Sequence, residues 1–251
     1  MSSYSNAMSQ CGEGYSADYI AEIVVVKTET ACRLVNRDRF VFEMGSLRPL
    51  IGVGLVPCQQ KIRVLDFGGA AGLHYFTTRH FLPPGTALEW HVVETPSMVR
   101  QADRLSNSEL SFYSSLSDAT QSWSHPPDLV IASGVLQYLP DPLFSLAELV
   151  SLQAPALFVT RTGLSPDDLT RVTIQRSSLS AHGVGPLPTG IVERRVNFPV
   201  TFVPELAFEQ VIESRYRIVA RINEDVGAYS VGKVQIDMHG YACRLIKTDC
   251  S

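Results

Sequence analysis

Val64-Leu65-Asp66-Phe67-Gly68-Gly69-Ala70-Ala71-Gly72 is the stretch from which the rest of the chain is read. An apolar strand over 62–67 carries the acidic Asp66 near its end and opens into a turn of glycines and alanines. A helix running to about residue 81 follows. Small residues let main chain approach a ligand closely, and glycine accepts positive φ angles. The helix N-terminus adds unpaired N–H groups and a partial positive charge. In open α/β sheets, ligands sit in the crevice at the carboxyl ends of the strands. Asp66, Gly68, Gly69, Ala70 and Gly72 are therefore expected to border a binding site.

Glu94 supplies the second half of that site. It closes the next strand, 88–93, where an acid accepts hydrogen bonds from both hydroxyls of a ribose; Thr95 follows it. Together these features indicate an adenosine-type ligand. A dinucleotide fingerprint starting at Gly68 needs glycine at positions 70 and 73, where this chain has Ala70 and Leu73. The spacing here is Asp-x-Gly-x-x-x-Gly, which disfavours a nicotinamide oxidoreductase.

Outward from the turn, strands alternate with helices. Strands are expected at 62–67, 88–93, 110–113, 128–132 and 156–160, and helices at about 73–81, 96–105 and 142–152. A helix at 204–213 and two closing strands, 216–222 and 240–246, complete the pattern. Such alternation implies parallel pairing with helices on both faces. The expected fold is α/β: a Rossmann-like, doubly wound, mostly parallel seven-stranded sheet, its last two strands an antiparallel pair at one edge. Residues 17–58 read as an N-terminal helical cap, with Asp18 capping a helix over about 16–36 and a shorter helix within 40–56. Pro57-Cys58-Gln59-Gln60 reads as the turn into a core domain over 59–251. Residues 163–203, irregular and rich in Ser, Gly and Pro around 177–190, are expected to form a lid or substrate insertion. Residues 1–16, with the tag-like Ser5-Asn6-Ala7-Met8, are expected to be disordered.

Composition narrows the function classes. The net charge of −4, with no basic run, argues against nucleic acid as the partner. No apolar stretch reaches the roughly 18–20 residues of a membrane span, and no secretory leader is visible. Five scattered cysteines without C-x-x-C spacing fit reduced thiols, and thus the cytoplasm, better than a disulfide frame. The six histidines show no metal-ligand spacing. A small molecule is the expected partner, with a homodimer as the assembly considered.

These motifs resemble those of the class I S-adenosylmethionine (SAM)-dependent methyltransferases, and within them a poorly characterised bacterial group. The matches are Leu65 to Gly72 with His74-Tyr75, Trp90 to Glu94, Ser133 to Leu139, Arg161-Thr162 and Thr173-Ile174-Gln175. Gly14-Tyr15 is similar to the group's opening. Two stretches depart from the group's pattern, Gly163 after Arg161-Thr162 and Asn197 to Phe202, and both fall where an acceptor would be contacted. The resemblance implies SAM as cofactor and its demethylated form, SAH, as product. Ser133, Gly134 and Val135 would then flank the methionine part, and Ser114 and Ser115 the adenine. His74, Tyr138 and Arg161 are the candidates for chemistry, His74 also for cofactor contact. Tyr75, Arg161 and Gln175 are the candidates for the acceptor. The expected activity is methyl transfer to a small molecule, such as a sugar or metabolite hydroxyl or amine. A noncatalytic SAM-fold binding module is the alternative.

Overall fold

The computed structural model describes residues 3–12, 14–37, 39–57, 61–224 and 229–247. Among the described residues the strands are β1 (Lys61–Phe67), β2 (Ala87–Val93), β3 (Leu110–Tyr113), β4 (Leu129–Ser133), β5 (Ala156–Leu164), β6 (Arg171–Ser178), β7 (Arg195–Phe202), β8 (Tyr216–Asn223), β9 (Tyr229–Val231) and β10 (Val234–Leu245). Its helices are α1 (Tyr4–Met8), α2 (Asp18–Val35), α3 (Arg48–Val53), α4 (Leu73–Phe81), α5 (Pro96–Ala102), α6 (Leu116–Gln121), α7 (Pro142–Ser151) and α8 (Glu205–Glu213).

The main sheet has the order β3-β2-β1-β4-β5-β10-β8, with β9 pairing on the start of β10. β1 to β5 are parallel, and β10 runs antiparallel to both β5 and β8. β4 carries five buried residues in succession, because helices cover both of its faces. One face packs Leu65, Val130, Ala132, Leu157 and Val159 against α7 and α8. The other packs Val64, Trp90, Val92, Ile131 and Phe158 beneath α4. Each such large apolar side chain removed from water is worth about 1.5–3 kcal/mol. The Asp141 carboxylate caps α7 by accepting from the Phe144 N–H at 3.0 Å, and Pro142 opens that helix.

A third apolar cluster lies over the carboxyl edge of the sheet. There α2 packs on Met98 and Ala102 of α5, on Val196 and Phe198 of the second sheet, the β6–β7 pair, and on Leu179 in the connection between its strands.

Several local expectations change. Residues 163–203 hold the end of β5 and the antiparallel pair β6–β7, and the Ser- and Gly-rich part is the connection between those two strands. Asp18 does not cap α2; it is the first helical residue, and its carboxylate accepts from the Ser97 hydroxyl and pairs with Arg100 at 2.7 Å. Residues 1–16 are not simply disordered, since Tyr4–Met8 is helical, Ala7 is buried, and the Tyr4 hydroxyl donates to the Tyr138 carbonyl at 2.8 Å. The expected turn at 57–60 falls largely outside the described residues.

Candidate functional site

β1 delivers its last residues into a turn with positive φ at Gly68 (72°), Ala70 (50°) and Gly72 (78°). The Gly68 N–H donates to the Val93 carbonyl at 2.9 Å, tying the turn to the end of β2. A β-carbon at Gly68 would collide with Val135, and one at Gly69 with the Asp66 carboxylate. The two glycines thus make room for packing from within the protein.

Asp66 is wholly buried, and its carboxylate accepts from the Trp90 indole N–H at 3.1 Å and meets His74 Nδ1 at 3.0 Å. A buried carboxylate without such partners would be costly. This changes the expectation for both residues. Asp66 holds the turn from beneath α4 rather than offering itself to a ligand. His74 is committed to Asp66, and its ring makes no hydrogen bond with Tyr138, Gln175 or Arg161.

Glu94 stands at the carboxyl end of β2, half-buried. One carboxylate oxygen accepts from the Ala70 N–H at 3.2 Å and the other from the Thr95 N–H at 2.8 Å. Burial raises its pKa above the usual carboxylate value; the two N–H groups oppose that shift, and the Asp66 charge adds to it. No cation pairs with Glu94 among the described residues. A carboxylate without a cationic partner beside a turn of positive-φ backbone suits a ligand that brings hydroxyl donors and positive charge. SAM, with its ribose diol, sulfonium and ammonium, has that chemistry, and the residues present fit it.

The surrounding hydroxyls divide into used and unused. Thr95 caps α5 at the Met98 N–H (3.3 Å), and Ser115 caps α6 at the Asp118 N–H (3.1 Å), each through its hydroxyl oxygen. Ser114 is exposed in the turn after β3. Ser133 is buried at the end of β4, and Gly134 follows with φ 65°, its N–H donating to the Thr160 carbonyl at 2.9 Å.

Beyond β4 and β5 the structure assembles a second group. The Tyr138 hydroxyl donates to Gln175 Oε1 of β6 at 2.7 Å. Tyr15 stacks on Phe198 at 3.8 Å between ring centres and meets Tyr138 edge-on at 4.9 Å. The Tyr229 phenol lies close enough to Tyr138 and Gln175 for each to act on its ionisation. Arg161 follows the carboxyl end of β4 in the sheet, and its charge acts on all three phenols. Burial nonetheless raises the phenol pKa values, Tyr15 to about 12 and Tyr138 and Tyr229 higher still. Tyr75 does not join this group. It is buried on α4, and its hydroxyl donates to Glu109 at 2.9 Å, ahead of β3 and away from the carboxyl edge.

No protein-family model matches the chain, and no curated protein matches it. Among solved structures, it is similar to the N-terminal domain of EvdMO1 crystallised with SAH, at 12% identity and a TM-score of 0.52. That match covers 82% of this chain and 83% of that one. It is likewise similar to the CcbJ methyltransferase from Streptomyces caelestis, at 12% identity and a TM-score of 0.52, over 80% of this chain and 95% of that one. The fold is that of the class I methyltransferases. Within this methyltransferase fold, the glycine turn and Glu94 stand at the carboxyl ends of β1 and β2, and the phenol group stands past β4 and β5.

Three members of the methyltransferase fold's carboxyl edge escape sequence reasoning. Tyr15 lies within the segment expected to be disordered, although Gly14-Tyr15 was among the resembling residues. Tyr229 comes from a short strand with no distinct pattern. Glu224 is buried after β8, accepts from the Arg161 N–H at 3.2 Å and pairs with Arg48 of α3 at 2.6 Å. Only long-range pairing brings it there.

Proposed function

We propose that this chain binds SAM at the glycine turn and transfers its methyl group to a small-molecule acceptor held among Tyr15, Tyr138, Gln175 and Arg161. The observation that carries the reading is Glu94, a carboxylate without a cationic partner, bonded across the glycine turn in a class I methyltransferase fold. When bound, SAM supplies a methyl group on a positively charged sulfur, and the leaving group is neutral.

The protein's part is to place the two reactants in line, which by itself can supply much of the acceleration. Glu94 accepts from the ribose hydroxyls while Asp66, Trp90 and His74 keep the turn in shape. Ser133 and Gly134 flank the methionine part. The phenols of Tyr15, Tyr138 and Tyr229 remain protonated at neutral pH, so they donate hydrogen bonds and do not remove protons. These side chains therefore orient an acceptor that arrives with a free lone pair, such as a neutral amine. A hydroxyl acceptor would have to bring or recruit its own base.

Calorimetry with SAM, SAH and NAD tests the cofactor reading: SAM and SAH should bind and NAD should not. A methyl-release assay on a panel of amino sugars and hydroxylated metabolites tests the transfer. Binding of NAD in place of SAH would overturn the reading. SAH binding without release on any acceptor class would favour a noncatalytic module.

A further inference from the structure

Arg161 has a main chain held more firmly than an exposed arginine ordinarily needs. Its φ of 55° is left-handed, a conformation that costs a non-glycine residue energy. It sits where β5 bulges against β10: Thr162 pairs with His239 and Val159 with Tyr241, leaving Thr160 and Arg161 opposite Gly240 alone. Glu224 secures that bulge, accepting from the Arg161 N–H at 3.2 Å and from the Thr160 hydroxyl. Arg48 offsets the buried Glu224 charge at 2.6 Å. On the other side, the Gln137 amide donates to the Arg161 carbonyl at 3.1 Å.

The side chain so fixed lies against Gly134. The guanidinium carbon would stand 3.4 Å from a β-carbon at that position, an ordinary van der Waals contact. No carboxylate pairs with the guanidinium among the described residues. Strained backbone, two main-chain clamps and an unmatched fork of donors together imply that its partner arrives with a ligand. A guanidinium favours planar, bidentate partners, which means carboxylate or phosphate.

Resting on the methyltransferase reading, we infer that the acceptor carries an anionic group, carboxylate or phosphate, and that Arg161 binds it. The cofactor's own carboxylate is the competing source. Position argues for the acceptor. Glu94 at β2 and Arg161 at β5 are separated by three strand intervals, about 14 Å. At β5, the Arg161 charge bears on the phenols of Tyr138 and Tyr229, on which Glu94 is not among the acting charges.

The test compares the parent with Arg161→Gln and with Arg161→Gly, the latter suited to a left-handed backbone. Calorimetry with SAH should give affinities equal within about twofold for all three proteins, whereas a tenfold loss in both variants would assign Arg161 to the cofactor and overturn the inference. Inorganic phosphate and acetate are then titrated at constant ionic strength, with and without SAH, following the melting temperature. The parent should show saturable stabilisation by at least one anion, weakened at least tenfold in both variants; identical responses would overturn it. Methyl release on the matched pairs glucosamine and glucosamine 6-phosphate, and glucose and glucuronate, should favour the anionic member in the parent alone. Loss of SAH binding by the parent would count against the methyltransferase reading, and the anion titration without SAH would still decide the role of Arg161.

Discussion

At the scale of single residues, the carboxyl edge separates groups that touch a ligand from groups that hold those that do. Glu94 belongs to the first kind. Glu94→Gln keeps its shape but replaces one acceptor with a donor, so one of the two N–H partners or a ribose hydroxyl loses its bond. Charge-assisted bonds of this sort are worth about 1–3 kcal/mol. SAH affinity measured by calorimetry should fall roughly tenfold to a hundredfold. Because burial raises the Glu94 pKa, the parent should also lose affinity as pH falls toward the carboxylate range, starting higher than for an exposed glutamate. Glu94→Gln should flatten that slope, and an unchanged slope would move the titrating group elsewhere. Tyr138 answers to a different readout. Tyr138→Phe removes the donor to Gln175, a bond worth about 1 kcal/mol. Methyl release should drop by roughly fivefold with SAH affinity unchanged, whereas equal loss of both would place Tyr138 on the cofactor.

At the scale of elements, the covering layer is where folding and pH meet. The Lys27 ammonium of α2 is buried and donates to the Ser180 and His182 carbonyls at 2.8 and 2.6 Å, fastening the β6–β7 connection. His182 packs edge-on against Tyr15 and Phe198, its Nε2 buried without a partner among the described residues. Burial, with the nearby Lys27 charge, pushes its pKa down to about 4, against about 6.5 in the unfolded chain. The unfolded chain thus takes up this proton first, and stability falls as pH drops from about 6.5 toward about 4, then levels off. With allowance for residual solvent screening, the loss is on the order of 2 kcal/mol. Urea midpoints at pH 7 and pH 4.5 should separate more for the parent than for His182→Gln; equal separations would sink the claim. The elements also differ in how plainly the sequence announces them. β1, β2 and β4 are legible because cover on both faces makes them nearly continuous apolar runs. β6 and β7 are not, because a two-stranded sheet with one covered face mixes Val172 and Ile174 with Arg171, Gln175 and Arg176. The glycine turn and Glu94 were legible as a place. That Asp66 would turn under α4 was not, because the face a strand-end acid takes depends on register and on Trp90 reaching it from the next strand.

At the scale of the whole molecule, the carboxyl edge is built from distant parts of the chain. The N-terminal segment, α2, the β6–β7 pair and the start of the β9–β10 region all converge on it, as the contacts of Tyr15, Tyr138, Gln175 and Tyr229 show. An unfolded chain has no such edge, so a ligand bound there stabilises the folded state by mass action. At a hundredfold excess over its dissociation constant, SAH should add about 2.7 kcal/mol. For a chain of 251 residues, about 2–4 °C per kcal/mol makes that a rise of about 5–11 °C in melting temperature. With tenfold weaker binding, Glu94→Gln at the same SAH concentration should gain only about 1.4 kcal/mol, or about 3–6 °C. NAD at that concentration should leave the parent unmoved. A parent stabilised equally by NAD and SAH would mean that the edge recognises adenosine alone, and the methionine part would have no site beside Ser133 and Gly134.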